Sequence, residues 1–354
     1  MLYPNFQINK VLNGFTKYSS IIQESPISKN FYVISRFEGK AWKIINDKYE
    51  KQTFLDIKNR LRNEAYADHE EGLLDIAFPR NFEEIKKIYV LKKRPKKNPL
   101  IIHYDNIKKL KKDAFINPSF LKLYKKFCPG PLTFILKKRK DSKICSLANA
   151  NLNTLAVRFP GHSTTKKILK KLNFPLAIPS ANKSSALSPI SALDVIDEFG
   201  KSINFIIDGG KSKIGLESTV INLVENIKIA RPGAISKKEL GKVLGKKIST
   251  VKKINKIYSP GMLKKHYSPG IPVTLNCKTA SNKDAFIVFG KKYKKGKNIF
   301  NLSYKGDLKQ AAKNLYKTMR KIKNLNFKKI RVVKIPNRNI GIAINDRLLK
   351  ASNK

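Results

Sequence analysis

The sequence predicts an α/β fold built on a twisted open sheet with flanking helices, followed by a second, smaller α/β unit. Three observations support this prediction. Short β-branched runs are bounded by Pro, Gly or Asn, helical patterns lie between some of them, and a polar segment separates two such regions. At 354 residues the chain is also long enough for two domains with separate cores.

The first region alternates between strand and helix patterns. Its predicted strands are NPLIIHY, LTFIL, TLAVRF, PLAIPS, INFIID, STVINLV and IKIAR. Its predicted helices are FLKLYKKF, TTKKILKKL and SALDVIDEF, which have apolar residues at helical spacing. Ser191 with Asp194, and Ser236 with Glu239, have the spacing of capping boxes, which predicts that helices begin there.

Changes of composition predict four segments. Residues 81–250 form the first α/β domain, and residues 251–270 read as a linker because they lack an apolar period and contain two Ser-Pro-Gly steps. Residues 271–354 form the smaller α/β domain, with strands at IPVTLN, DAFIVFG, KNIFNLS and IRVVKIP. Its long helix is expected to follow Asp307, which is placed as an N-cap.

Residues 1–80 form an N-terminal segment whose fold the pattern does not define. FYVISRFEGKAWKIIND is compatible with a hairpin, and FLDIKNRLRNEAYADH with a helix. Trp42 is the only tryptophan, and we interpret it as a core anchor rather than a stacking platform.

Composition limits the class of protein. No run of 18 apolar residues predicts a membrane span, and the start MLYPNFQINK lacks the features of a secretory signal, so we expect a cytoplasmic protein. Cys128, Cys145 and Cys277 are far apart and lack metal-ligand spacing. We therefore expect buried thiols rather than disulfides.

The formal net charge of +49 suggests nucleic-acid binding, but the charge is spread along the chain. Only 12 of the 74 basic residues are Arg, and abundant Lys, Ile and Asn are typical of an AT-rich coding bias. We favour that bias over a dedicated RNA groove. The rare arginines then become informative, because lysine cannot replace their planar, bidentate fork.

Familiar nucleotide-binding loops are absent. GGKS at Gly209–Ser212 ends like a Walker A loop, but Phe205 occupies the position of the required first glycine, and no GxGxxG is present. An ATP site would therefore have to be built from cations and backbone amides. The segment Lys92–His103 supplies such cations around a strand, although a solvated lysine cluster would look the same.

Three further segments place polar groups beside predicted strands. Pro179–Asn182 (PSAN) ends a strand with a hydroxyl and an amide, GLESTV presents Ser218 and Thr219 at a strand start, and Arg231 precedes a Pro-Gly bend. Each is weak alone, since ordinary turns use the same residues. Their order along the chain is more specific.

In that order, the chain from about residue 82 onward resembles the two-domain threonylcarbamoyl-adenylate synthases, which have a YrdC-like catalytic domain. The resemblance rests on KIYVLKKRPKKNPLIIH, CPGPLTFIL, TLAVRFPGH, LAIPSANKSSALSP, IGLESTVI, ARPGAIS, SPGMLKKHYSP and AINDRLLKAS. It implies a YrdC-like twisted sheet and a Rossmann-like C-terminal domain. The linker and tail are similar to the long form rather than the single-domain form.

The resemblance also implies a reaction. L-Threonine and bicarbonate would give an N-carboxy-threonine that attacks the α-phosphorus of ATP, releasing pyrophosphate and leaving threonylcarbamoyl-AMP for modification of tRNA. Mg²⁺ would be carried by the phosphates, with no metal site on the protein. A downstream threonylcarbamoyl transferase would take the product, and tRNA or double-stranded RNA stays open as a partner.

The family's pattern assigns roles to residues of this sequence. ATP contacts would come from Arg94, Asn98, Thr154, Ser180, Ser188, Arg231 and Ser259. Threonine contacts would come from His103, Arg158, Ile178 (through its backbone) and Ser218. Lys92 and Arg94 would be catalytic through their charge, and His266 and Tyr267 of the linker would form a lid that excludes water.

One family motif has no match here. The strand that ends Pro-Thr-Glu-Thr-Val-Tyr-Gly-Leu is absent, and only Gly72 and Leu73 correspond to its end. This departure keeps an alternative open, a non-catalytic RNA-binding YrdC-like relative. A further alternative, a carbamoyl-transfer enzyme with a YrdC-like module, would require zinc-binding cysteine spacing that this chain lacks.

Overall fold

The computed structural model describes residues 82–203, 206–251, 257–263 and 266–353, together with five short strands nearer the N-terminus. No described helix is both long and apolar enough to cross a bilayer. The three cysteines are free thiols, and burial raises the pKa of Cys128 to about 12.

The N-terminal strands form two small sheets. Strands β1 (Ser20–Gln23), β2 (Phe31–Ser35), β3 (Lys40–Ile45) and β4 (Lys48–Asp56) pair in that order as an antiparallel sheet. The predicted hairpin is confirmed as β2 and β3. The predicted helix is wrong at its start, which belongs to β4, and its remainder lies outside the described residues. The side chain of Trp42 also lies outside them.

A seven-stranded mixed sheet forms the centre of the first domain, in the order β13-β12-β11-β7-β8-β6-β9. Its strands are β6 (Ile101–His103), β7 (Leu132–Lys137), β8 (Thr154–Arg158), β9 (Leu176–Ala177), β11 (Thr219–Asn222), β12 (Lys228–Arg231) and β13 (Ser249–Thr250). Strands β6 and β8 are parallel, and so are β7 and β11. The predicted α/β sheet is therefore confirmed.

A further two-stranded sheet joins the N-terminal segment to this domain. Strand β10 (Ile207–Asp208) pairs antiparallel with β5 (Gly72–Leu73), the dipeptide that corresponds to the end of the missing family motif.

Among the described residues, six helices accompany the sheet, of which the last four lie where the sequence predicts helices and the first two were not predicted. They are α1 (Phe82–Leu91), α2 (Ile107–Leu110), α3 (Pro118–Phe127), α4 (Ser163–Lys171), α5 (Ala192–Phe199) and α6 (Lys237–Leu244). Both predicted capping boxes are present at α5 and α6, where each cap hydroxyl accepts from the backbone N–H three residues on.

The C-terminal unit is a four-stranded parallel sheet in the order β14-β17-β15-β16, packed with two helices. Its elements are β14 (Val273–Thr274), β15 (Ala285–Val288), β16 (Ile299–Asn301), α7 (Leu308–Lys323), β17 (Ile330–Val332) and α8 (Gly341–Ser352). The carboxylate of Asp307 accepts from two backbone N–H groups of α7, which confirms the predicted cap.

The two units share buried side chains. Leu187, Leu216 and Tyr267 pack into the core of the C-terminal unit. Gly215 has a φ of +75°, and a Cβ there would lie 2.5 Å from the Cα of Lys313 in α7. This close approach requires glycine and brings the chain before β11 against the second domain.

Candidate functional site

A cavity of about 270 Å³ opens where the chain leaves several strands of the central sheet. His103 ends β6 and Arg158 ends β8, and the parallel register places these two residues side by side. Arg231 ends β12, and Ser218 precedes β11. Ligand sites commonly form at strand ends of this kind, because the loops beyond them are free to supply polar groups.

The structure brings nine of the predicted site residues to this cavity. They are Arg94, His103, Arg158, Ile178, Ser180, Ser218, Arg231, His266 and Tyr267. Residues separated by more than 170 positions therefore surround one space, as the hypothesis of a single pocket requires.

Three arginines give the cavity its positive charge. Arg94 donates to the carbonyls of Asn98 (2.9 Å) and Pro99 (2.7 Å), and burial lowers its pKa to about 10, so it stays cationic at neutral pH. Arg231 donates twice to the carbonyl of Ser218, at 3.0 and 3.1 Å. Backbone carbonyls hold these guanidinium groups without neutralising them, which suits an anionic ligand.

His103 is a neutral group in this cationic setting. Burial, with the nearby charge of Arg158, lowers its pKa to about 3. Its Nδ1 lies 3.1 Å from the carbonyl oxygen of Ile101, which favours the tautomer with the proton on Nδ1. The ring can therefore offer Nε2 as an acceptor to a ligand.

Linker residues form one wall of the cavity. The rings of His266 and Tyr267 lie 3.9 Å apart between centroids, and both residues are buried. Gly261 has a φ of +82°, and a Cβ there would lie 2.5 Å from the Cδ of Arg231. Glycine is thus required for the linker to close over Arg231.

Four predicted residues do not line the cavity themselves, but each contacts a lining residue or is close to one in the sequence. The Lys92 ammonium donates to the carbonyls of Ser180 and Asn182, so it shapes the PSAN turn. Asn98 is fully buried, and its side-chain amide has no hydrogen-bond partner among the described residues. The other two are Ser188, whose hydroxyl donates to Glu217 at 2.6 Å, and Ser259, which is buried beside Pro260.

Thr154 lies away from the cavity. It begins β8, whereas Arg158 ends the same strand at the cavity, and five extended residues span roughly 13 Å. Its carbonyl accepts from Asn149 at 3.2 Å.

Several residues that line the cavity were not predicted from the sequence. The polar ones include Glu217, His162 and Thr165, and Gly261 has a positive φ. Glu217 lies within the GLESTV motif, so its place next to Ser218 could have indicated that it reaches the cavity. Glu217 was not chosen as a candidate because a negatively charged residue is not expected to line a cavity that binds anions. Arg347, two residues after Asn345 in the tail motif, contacts Glu217 from the second domain.

Comparisons with known proteins indicate one family over most of the chain. A family model described as "Telomere recombination" matches residues 76–233, and one described as "Threonylcarbamoyl-AMP synthase, C-terminal domain" matches residues 235–353. A threonylcarbamoyl-AMP synthase of Pyrococcus abyssi is 34% identical, covering 76% of this chain and 84% of that protein. One of Bacillus subtilis is 30% identical, covering 85% and 97%.

The fold has a matching solved structure. The crystal structure of P. abyssi Sua5 complexed with L-threonine superimposes with a TM-score of 0.70 at 31% identity, covering 78% of this chain and 86% of that one. A second structure of the same protein, carrying two alanine substitutions, gives a TM-score of 0.69 at 30% identity, with 77% and 84% covered.

Proposed function

This chain belongs to the threonylcarbamoyl-AMP synthase family, nucleotidyltransferase-type enzymes of tRNA modification, and we propose that it uses L-threonine, bicarbonate and ATP. The threonine amine combines with bicarbonate, losing water, to give a carbamate. A carbamate oxygen then attacks the α-phosphorus of ATP, the bond to the β-phosphate oxygen breaks, and pyrophosphate leaves. The product is threonylcarbamoyl-AMP.

The convergence of three arginines on one cavity is the observation that supports this proposal most directly. Every reactant and the leaving group carries negative charge. Transfer at phosphorus depends on positioning and charge neutralisation more than on a protein nucleophile. The cavity supplies fixed cations and hydroxyls in the arrangement that this chemistry needs.

Threonine is assigned to the part of the cavity around Arg158 and His103. Arg158 donates through Nε to the carbonyl of Gly130 at 3.2 Å, which orients the plane of its guanidinium group. A planar fork suits a carboxylate. Neutral His103 and the backbone of Ile178 suit the polar groups of an amino acid, and the relative from P. abyssi was crystallised with L-threonine.

ATP is assigned to the part around Arg94, Ser180 and Arg231. Glu217 is the one carboxylate among the described lining residues, and it is paired with Arg347. Within the described part of the chain, no group of three His, Cys, Asp or Glu side chains could hold a metal ion. We propose that Mg²⁺ is carried by the phosphates, where it would supply charge neutralisation. The linker residues His266 and Tyr267 exclude water from the adenylate.

The test is a pyrophosphate-release assay with purified protein. Release should require ATP, threonine and bicarbonate together, and leaving out any one should abolish it. Release that persists without threonine or bicarbonate would contradict the proposal, and so would ATP binding without release. The second result would favour a non-catalytic relative.

A further inference from the structure

The carboxylate of Glu217 poses a problem for the proposed anion site. It lines the same cavity as Arg94 and Arg231, and burial alone would oppose its charge. Unneutralised, it would repel ATP or bind the arginines that ATP needs. Yet the nearby cations keep its pKa at about 2, so it is ionised.

The groups that hold this carboxylate come mostly from the second domain. Arg347 in α8 donates through Nε to Oε2 at 2.8 Å, and the Tyr316 hydroxyl in α7 lies 3.1 Å from both oxygens. From the first domain, Ser188 donates to Oε1 at 2.6 Å. Arg347 is only 1% exposed and also pairs with Asp346 at 2.6 Å, whereas Glu217 is 14% exposed and faces the cavity.

The same arginine also contacts the lid. Its guanidinium carbon lies 5.0 Å from the ring centroid of Tyr267, and that ring stacks on Tyr316 at 5.9 Å. The neighbouring backbone N–H of His266 donates to the carbonyl of Lys350 in α8 at 3.2 Å. The carboxylate, the lid and the C-terminal helices therefore form one connected cluster.

We propose that Arg347 is a positioning residue for the ATP site, an inference that rests on the proposed function. By pairing with Glu217 from the second domain, it offsets the negative charge that this carboxylate would otherwise place beside Arg94 and Arg231. These two arginines then stay available for the phosphates. The C-terminal domain thus balances the charge of the catalytic cavity and contacts the lid through the same side chain, with Tyr316 and the Lys350 carbonyl beside it.

The decisive test combines two substitutions. Arg347→Met removes the positive charge and leaves Glu217 without its cationic partner, so the Kd for ATP, measured by calorimetry, should rise at least tenfold. Adding Glu217→Gln to Arg347→Met should restore most of the lost affinity, because the unpaired carboxylate is gone. A double variant as weak as Arg347→Met would overturn the proposal.

A matched control uses another ion pair of the same domain. Arg331, whose side chain is 35% exposed, pairs with Asp284 at 2.7 Å, and neither residue lines the cavity. Arg331→Met should leave the Kd for ATP unchanged. An equal loss in both methionine variants would overturn the inference.

Tyr316→Phe covers the case in which Arg347→Met does not fold. It deletes one donor to Glu217 without altering charge or ring packing, and it should raise the Kd for ATP two- to fivefold. Unchanged affinity would overturn the proposal.

Failure of the proposed function can be told apart from failure of this inference. If the wild-type protein binds no ATP, hydrogen exchange in the ligand-free protein becomes the test. Arg347→Met should then speed exchange in peptides covering 217–219 and 266–268, and unchanged exchange would overturn the inference.

Discussion

The sharpest prediction concerns Arg158→Lys, which preserves the positive charge and removes only the planar guanidinium group. Arg158 ends β8 beside His103, and its Nε is anchored on the carbonyl of Gly130. A guanidinium held in this way can present two parallel N–H groups to the threonine carboxylate. A lysine ammonium offers one point contact on a flexible stem.

The size of the effect follows from the loss of one hydrogen bond to a charged group. Such a bond contributes about 1.5–3 kcal/mol, which corresponds to roughly a 10- to 150-fold rise in the KM for threonine. The KM for ATP should change by less than about threefold, because Arg94 and Arg231 keep their geometry. Pyrophosphate release, with each substrate varied in turn, measures both constants.

Arg139→Lys is the matched control. Arg139 is exposed and pairs with Asp141 at 3.0 Å, so its substitution should change neither constant. Equal rises in both KM values for Arg158→Lys would refute the assignment of threonine to this end of the cavity.

Two further predictions concern the linker and the buried histidines. Gly261→Ala should displace Arg231 and raise the KM for ATP about tenfold, since a Cβ would overlap the Arg231 side chain. Gly270→Ala is its control, because Gly270 has a similar φ of +81° with open space around it, and an equal effect would point to backbone strain alone. His103 and His266 both have pKa values of about 3, lowered by burial, whereas unfolded histidine titrates near 6.5. Below pH 6.5 the unfolded chain therefore binds more protons than the folded protein. The contribution of each neutral histidine to the free energy of unfolding is complete above pH 6.5 and falls as the pH drops toward 3, by up to about 1.4 kcal/mol per pH unit. Urea melts from pH 7 to 5 should show a shallower decline for His103→Gln, and parallel declines would contradict the neutral assignment.

Local features of the sequence were enough to predict much of the fold. Capping at Ser191, Ser236 and Asp307 depends on residues two or three positions away, and strand patterns depend on alternation within a few residues. Arginine is rare in this lysine-rich chain, and Arg94, Arg158 and Arg231 all lie within the motifs that carry the family resemblance.

Other features required the tertiary structure. Thr154 and Arg158 belong to one short strand, yet only the direction of β8 in the sheet decides which of them reaches the cavity. The neutral state of His103 likewise depends on burial, which the sequence does not state.

The sequence by itself determined the family, many of the strands and helices and most of the polar groups at the cavity, because these depend on local spacing and on motifs. Only the tertiary structure decided how the cavity is charged. Glu217 and Arg347 are 130 positions apart, and their pairing depends on the docking of one domain on the other. Charges interact through space, so a carboxylate in an anion site can be understood only once its distant partner is in place.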